Sequence, residues 1–78
     1  MEWQLYIHSD PSILVGKPVV KGTRLAVDFL MQLKANGWKE DDILANYPSL
    51  TPEALRAVFA YAAECIAGET FYSLHPNA

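Results

Sequence analysis

The sequence predicts a mainly α domain in which three helices follow a short N-terminal β-hairpin arm. Its 78 residues are 51% hydrophobic and only 19% charged, which supplies enough apolar material for one core and excludes a disordered chain. Hydrophobic residues alternate in the first third of the chain, as in strands, and recur at helical spacing in the rest. We therefore expect a single domain over 1–78, with the β-arm at 1–27, the three-helix bundle at 28–67 and a C-terminal tail at 68–78.

The arm is expected to form an edge ribbon of short strands joined by turns. Trp3, Leu5 and Ile7 occupy every second position, which predicts a short, half-buried strand. Asp10 precedes a proline and predicts a turn in which its carboxylate accepts a hydrogen bond from the following backbone. Pro18 lacks the N–H that a central strand donates, so this ribbon should lie at an edge.

The first two helices are indicated by the residues at their ends. Segment 28–36 should begin at Asp28 as its cap and end at the Asn36-Gly37 pair, because glycine readily adopts the left-handed conformation that ends helices. Segment 40–46 opens with three acidic residues, which the helix dipole favours in a first turn. Both segments are therefore expected to be short helices.

The third helix has the clearest start in the chain. Thr51 is expected to be its N-cap, Pro52 takes the first helical position, and Gly68 ends the helix after about Ala67. The residues at the i, i+3, i+4, i+7 spacing of a buried stripe are Leu55, Val58, Phe59, Ala62 and Ile66.

The other side of this helix is also apolar, which predicts a second chain as its cover. A helix that is apolar nearly all round is usually buried nearly all round, and three short helices cannot cover it alone. The residues expected at a homodimer interface are Ala57, Ala60, Tyr61 and Ala63. The alternative is that alanine is present simply as a good helix former that tolerates water.

Positive charge is concentrated in the arm. The net charge is −3, which argues against a strongly basic nucleic-acid binder. Three of the six basic side chains, Lys17, Lys21 and Arg24, nevertheless lie within eight positions. This cluster indicates a basic arm directed at a phosphate or a carboxylate. The alternative is a solvated hairpin whose lysines protect its edges from pairing.

Catalysis is not expected. His8, Ser9 and Asp10 have the residue types of a hydrolase triad, but neighbours in a strand point to opposite faces. His8, His75 and Cys65 offer too few ligands for a metal site. We therefore expect no enzyme activity, no cofactor, no metal and no small-molecule substrate.

The location of the protein is predicted from its cysteine and its hydropathy. Cys65 is the only cysteine, so no disulfide can form within the chain, and a lone thiol fits a reducing cytoplasm. No apolar run approaches the roughly 18 residues that a membrane span requires. We therefore expect a cytoplasmic protein with no membrane partner.

Several motifs together resemble domain-of-unknown-function family number 433, and the similarity extends over residues 7–66. The motifs are Asp10-Pro11, Gly16-Lys17-Pro18, Gly22-Thr23-Arg24-Leu25, Gly37, Ile43-Leu44, Tyr47-Pro48 and Leu50-Thr51. The resemblance implies a VapB-like antitoxin with a homeodomain-like helix-turn-helix, and a PIN-like nuclease toxin from an adjacent gene as its partner.

Two positions depart from the family pattern. Ala26 stands where the family usually has a proline before the first helix, and Lys39 stands where it usually has a serine or threonine cap. A missing cap weakens the start of the second helix but leaves the fold unchanged.

The hypothesis is thus an antitoxin of a type II toxin–antitoxin pair that inhibits its toxin and represses its own operon. Operator DNA or the toxin would contact Lys17, Lys21, Arg24 and Arg56. The last helix offers Arg56 and little else to base edges, so the arm is the better DNA contact.

Arg24 is the residue expected to block the toxin. PIN-type nucleases hold a divalent metal with clustered carboxylates, and an inserted guanidinium would pair with those carboxylates. The alternative is a local role, in which Arg24 pairs with Asp28 or Asp10 of its own chain.

The C-terminal tail is a second candidate for partner binding. Phe71, Tyr72 and Leu74 could anchor in a groove on a partner, or the tail could pack back or fray. Two alternatives to the antitoxin remain open, namely a stand-alone DNA-binding transcriptional regulator and a structural dimer module that binds no DNA.

Overall fold

The computed structural model describes residues 1–68, and it confirms a mainly α fold with an N-terminal β-hairpin. Two antiparallel strands precede three helices in this part of the chain. In chain order, the elements are β1 (Ile7–Ser9), β2 (Pro18–Val20), α1 (Val27–Ala35), α2 (Glu40–Asn46) and α3 (Pro52–Gly68).

The hairpin pairs three residues of each strand, with Ile7 opposite Val20 and Ser9 opposite Pro18. β2 pairs with no other strand of the sheet, which places Pro18 in an edge ribbon as expected. The predicted strand over Trp3 and Leu5 is wrong. These residues form a 3₁₀ turn in which the Tyr6 N–H donates to the Trp3 carbonyl at 2.9 Å, and Leu5 is 67% exposed.

Local signals define the ends of the helices. α1 ends at Ala35. Gly37 follows with a φ of +93° and donates to the Lys34 carbonyl at 3.0 Å, while the Trp38 N–H donates to the Leu33 carbonyl at 3.1 Å. These two bonds form a Schellman motif. The Ala54 N–H donates to Thr51 Oγ1 at 3.1 Å, which confirms Thr51 as the N-cap of α3.

The start of α1 differs from the prediction. The helix begins at Val27, with Ala26 as an N-cap that supplies no side-chain hydrogen bond. Asp28 therefore lies inside the first turn, where its carboxylate is available to Lys17. α2 also forms without a side-chain cap at Lys39, so the first turns of both helices depend on packing rather than on capping.

The core lies between the hairpin, α1 and α3, and α2 adds a fully buried Ile43. Its α3 side consists of Ala54, Leu55, Ala57 and Val58. The expected stripe is thus confirmed at Leu55 and Val58, but it does not extend to Ile66, which is 53% exposed. The last residues of α3, 63–68, are exposed.

Candidate functional site: the arm cleft

An open cleft of about 510 Å³ lies where the β-arm meets the start of α1 and the end of α2. We call it the arm cleft. Most of its walls are apolar, with charged side chains among them. The lining residues are Leu14, Val15, Lys17, Arg24, Leu25, Ala26, Asp28, Phe29 and Tyr47.

A turn held by Thr23 positions Arg24 at this cleft. Thr23 Oγ1 donates to the Val20 carbonyl at 2.8 Å and accepts from the Leu25 N–H at 3.0 Å. Gly22 has a φ of +79°, a conformation that glycine adopts without steric cost. The Val20 N–H donates to the Leu25 carbonyl at 3.0 Å and closes the loop. The Gly-Thr-Arg motif therefore fixes the backbone and leaves the Arg24 side chain exposed.

Arg24 pairs with neither Asp28 nor Asp10, the two carboxylates that the sequence suggested as local partners. Asp28 instead accepts from Lys17 Nζ at 3.0 Å, and Asp10 accepts from the Ser12 N–H at 2.9 Å and from its hydroxyl at 2.8 Å. Within residues 1–68, no hydrogen bond or ion pair engages the Arg24 guanidinium. The local role for Arg24 is therefore wrong, and its side chain is available to a partner.

The side chains that line the cleft include two cations and one carboxylate, which leaves a net charge of one positive unit. The hydrogen bond from Lys17 holds the pKa of Asp28 below its usual value of 3.8, so this carboxylate is charged near neutral pH and neutralises Lys17. Arg24 then supplies the net positive charge among the residues that line the cleft. Such a charge attracts a carboxylate or a phosphate.

One wall of the cleft is a tip with an uncommon backbone. Leu14 and Val15 have φ values of +49° and +56°, and the Val15 side chain is 96% exposed. A branched residue in the left-handed region is a genuine outlier. Gly16, with a φ of +81°, completes the reversal before β2.

The aromatic wall of the cleft comes from two helices. Phe29 and Tyr47 meet edge to face, with ring centroids 5.8 Å apart and planes at 86°. The sequence singled out neither side chain as a site residue. No local pattern could have marked them, because the cleft joins three segments that are distant along the chain.

The remaining predicted contact residues lie outside the cleft. Lys21 follows β2 and is exposed, while its backbone N–H donates to the Tyr6 carbonyl at 2.8 Å. Arg56 is exposed on the first half of α3. The structure thus brings Lys17 and Arg24 together but gives Lys21 and Arg56 no place in the same cavity.

The residues expected at a dimer interface do not form one exposed face. Ala57 is 0% exposed in the single chain, so it belongs to the core and its assignment to an interface is wrong. Ala60 and Tyr61 are half-buried, and the Tyr61 ring contacts Trp3 at a centroid distance of 4.7 Å. Ala63 is exposed, as an interface residue must be.

A second apolar groove, of about 600 Å³, lies between α1 and the second half of α3. Met31, Ala62, Cys65 and Ile66 are among its walls. The predicted partner-binding residues Phe71, Tyr72 and Leu74 lie outside the described residues.

Residues 1–68 contain neither a cluster of metal ligands nor a helix that could cross a membrane. In this range no three histidine, cysteine or acidic side chains come together as metal ligands. His8 is half-buried, and its Nε2 atom is buried without a hydrogen-bond partner in the same range. Over these residues no helix combines the length and the hydrophobicity that crossing a bilayer requires.

Comparisons with known proteins concern the fold. Residues 7–62 match the sequence profile of a family described as "Protein of unknown function (DUF433)". The chain is also similar to a crystal structure of a DUF433 member protein from Anabaena variabilis, with 33% sequence identity and a TM-score of 0.75. That match covers 78% of this chain and 60% of the Anabaena chain, which is less than two thirds of its length. No curated protein matches the chain significantly.

Proposed function

The chain belongs to the DUF433 family, and we propose that it is the antitoxin of a type II toxin–antitoxin pair. In this function it binds and inhibits a PIN-like nuclease toxin from an adjacent gene, in the cytoplasm, and it performs no catalysis of its own. The observation that carries the proposal is the exposed Arg24, whose guanidinium has no partner among the described residues and lies beside an apolar cleft.

Inhibition depends on the geometry of the guanidinium. Its planar fork donates two parallel hydrogen bonds to a carboxylate, and its charge persists at any physiological pH. Inserted among the clustered carboxylates of a metal-dependent nuclease, it would occupy the place of the metal ion. Because Arg24 is exposed and held by a fixed turn, little internal contact is lost when it enters a partner.

Lys17 and Lys21 support this contact by attracting an acidic surface. Lys17 already pairs with Asp28 at 3.0 Å, but an exposed ion pair of this kind contributes only about 0–1 kcal/mol. A partner carboxylate can therefore replace Asp28 at small cost. Lys21 is exposed on the same arm, and its ammonium group has no hydrogen-bond or ion-pair partner within residues 1–68.

The proposal includes a homodimer. Its support is the exposed second half of α3, where Ala63 and the 53%-exposed Ile66 present apolar surface to solvent. The exposed Cys65 on the same helix is a further reason to place the protein in a reducing cytoplasm, because an exposed thiol would oxidise elsewhere.

DNA binding is the second candidate function, and the connection between two helices favours it. α2 ends at Asn46 and α3 begins at Pro52, so a short connection joins them that is slightly longer than the turn of about 3–4 residues in a helix-turn-helix. As an operator-binding repressor, a dimer would use its two arms on phosphates and Arg56 on α3. Such binding would weaken steeply as salt rises.

The test is co-purification of the chain with the product of the adjacent gene, followed by a ribonuclease assay. We expect a stable complex in which Arg24→Glu loses inhibition of the nuclease. Lys34→Glu is the matched control, because Lys34 is an exposed cation at the far end of α1. No complex, or equal inhibition by Arg24→Glu and the natural chain, would contradict the proposal.

A gel shift with operator DNA separates the remaining alternatives. Binding by the chain alone, without any toxin complex, would favour a stand-alone transcriptional regulator. Neither DNA binding nor toxin binding, in a chain that sediments as a dimer, would favour a structural module. Binding that requires the toxin would support an antitoxin that represses its own operon.

A further inference from the structure

We infer that the arm cleft is a docking site for an acidic segment of a partner protein, one that places a large apolar side chain beside a carboxylate. The cleft holds about 510 Å³, within the range of pockets that enclose a small ligand or an anchoring side chain. It is open to solvent on the surface of the described chain, so an extended peptide could enter without a change of fold.

The walls select an apolar anchor. Leu25, Phe29 and Tyr47 surround the cavity, and Phe29 keeps 39% of its surface exposed although it lies on a core helix. The Phe29 ring packs edge to face against Tyr47, so the two rings form one apolar surface for an incoming side chain. Covering this surface removes apolar area from water, which favours binding.

The charges select a carboxylate next to that anchor. Lys17 and Asp28 pair with each other across 3.0 Å, which leaves Arg24 as the uncompensated charge that lines the cleft. A peptide with a carboxylate one or two residues from its anchor would satisfy both the cavity and the guanidinium. A basic segment would meet repulsion at the same place.

The tip at Val15 is an independent observation that points to the same site. Its side chain is 96% exposed, and its backbone has a φ of +56°. Strained backbone that presents an apolar side chain to water is characteristic of binding loops. The tip forms one wall of the cleft, so a bound segment would cover Val15 as well.

This inference deepens the proposed function and rests on it for the identity of the partner. The chemistry of the cleft can nevertheless be tested without the toxin. The probe is the blocked pentapeptide Asp-Glu-Phe-Glu-Asp, added to the ¹⁵N-labelled full chain while backbone amide shifts are recorded. We expect saturable shifts at Val15, Leu25 and Phe29.

Two control peptides separate the requirements for the anchor and the charge. Replacing the central Phe by Ser removes the apolar anchor, and replacing the four acids by Lys reverses the charge. Both should bind about tenfold or more weakly. Equal shifts with either control, or no shifts at these amides at millimolar peptide, would overturn the inference.

Matched variants show whether the observed binding uses the cleft. Val15→Asp and Arg24→Gln should each lower the affinity for the acidic peptide about tenfold. Their controls are Leu5→Asp, at another exposed apolar residue, and Lys34→Gln, at another exposed cation. Folding of each variant is verified by circular dichroism. If the control variants lost as much peptide affinity as Val15→Asp and Arg24→Gln, the peptide would bind outside the cleft and the inference would be wrong.

The same titration distinguishes other occupants. If decanoate shifts the same amides as strongly as the peptide, the cleft takes a small amphiphile and the inference is wrong. If concentrating the chain alone produces these shifts, the occupant is a second copy, and the inference is again wrong. Peptide binding without a toxin complex would contradict only the proposed function, whereas a complex that survives Val15→Asp unchanged would contradict only the cleft.

Discussion

Val15 departs most clearly from ordinary conformational preferences, in both its backbone angle and the exposure of its apolar side chain. Its β-branched side chain favours extended backbone, yet its φ is +56° and its side chain is 96% exposed. A conformation of this kind costs of order 1–3 kcal/mol and persists only where surrounding structure imposes it. The hydrogen bonds from Gly16 to Ile13 and from Lys17 to Leu14 enclose the residue on both sides.

We therefore expect Val15→Gly to stabilise the isolated chain by about 1 kcal/mol, because glycine accepts a positive φ without strain. Thermal unfolding measures the change. Leu5→Gly is the matched control, since Leu5 is also exposed but its φ is not positive, and it should destabilise the chain or leave it unchanged. A lower melting temperature for Val15→Gly than for the natural chain would show that Val15 is not strained.

Asp10 connects the turn of the arm to the pH dependence of folding. The N–H and then the hydroxyl of Ser12 hold the pKa of Asp10 below its usual value of 3.8. A group whose pKa is lowered by folding stabilises the native state above its unfolded pKa. That contribution is lost as the pH falls below 3.8 and through the lowered pKa.

Asp10→Asn should therefore flatten the acid branch of the stability curve. The melting temperature of the natural chain is expected to fall more steeply than that of the variant between about pH 5 and pH 2. Glu2→Gln is the control, at an exposed carboxylate whose side chain makes no hydrogen bond within the described residues. If the melting temperature fell equally steeply in the natural chain and in Asp10→Asn, the Ser12 hydrogen bonds would have no role in the acid branch.

Among the elements, α3 is the one whose start is set by a single side chain. Thr51 Oγ1 accepts from the Ala54 N–H at 3.1 Å, and Pro52 fills the first helical position. α1 and α2 have no comparable bond, because Ala26 and Lys39 provide no side-chain cap. α3 carries a large part of the core, so its first turn affects the whole fold.

We expect Thr51→Ala to lower the free energy of unfolding by about 1 kcal/mol, since one backbone N–H loses its partner. Thr51→Ser should restore most of this loss because it keeps the hydroxyl. Chemical denaturation measures both. If Thr51→Ser were as destabilising as Thr51→Ala, the methyl group rather than the hydrogen bond would explain the effect.

The start of α3 and the end of α1 were predictable because their signals are local. Thr51 and Gly37 act through bonds to residues three or four positions away, so a short stretch of sequence contains the whole interaction. The turn at Trp3–Leu5 was mistaken for a strand because its stabilisation is not local. Trp3 Nε1 donates to Glu64 at 2.9 Å, and its ring contacts Tyr61, both of which lie on α3.

For the whole molecule, the central question is which apolar surface the chain covers by itself. The apolar composition predicts that a second chain covers α3. In the structure the buried residues of α3 all lie in its first half, at Ala54, Leu55, Ala57 and Val58, whereas residues 63–68 are exposed. Ala57 and Ala63 stand on opposite sides of this division. They are therefore suited to separate folding from association.

Ala63→Glu should change the free energy of unfolding of the monomer by no more than about 0.5 kcal/mol, while it shifts a dimer towards monomer in sedimentation. Ala57→Glu should instead destabilise the fold by about 3 kcal/mol or more, because it buries a charge without a partner. A chain that is monomeric before either change would contradict the proposed dimer.

The sequence by itself determined the fold class, the positions of the three helices and the concentration of basic residues in the arm. These properties depend on hydrophobic spacing, capping residues and charge order, all of which are written along the chain. Only the tertiary structure decided that Lys17 pairs with Asp28 and that Arg24 has no partner within residues 1–68. It also decided that Ala57 is in the core and that Phe29 and Tyr47 complete the arm cleft. Each of these depends on distances between segments far apart in sequence, which packing sets and local pattern does not.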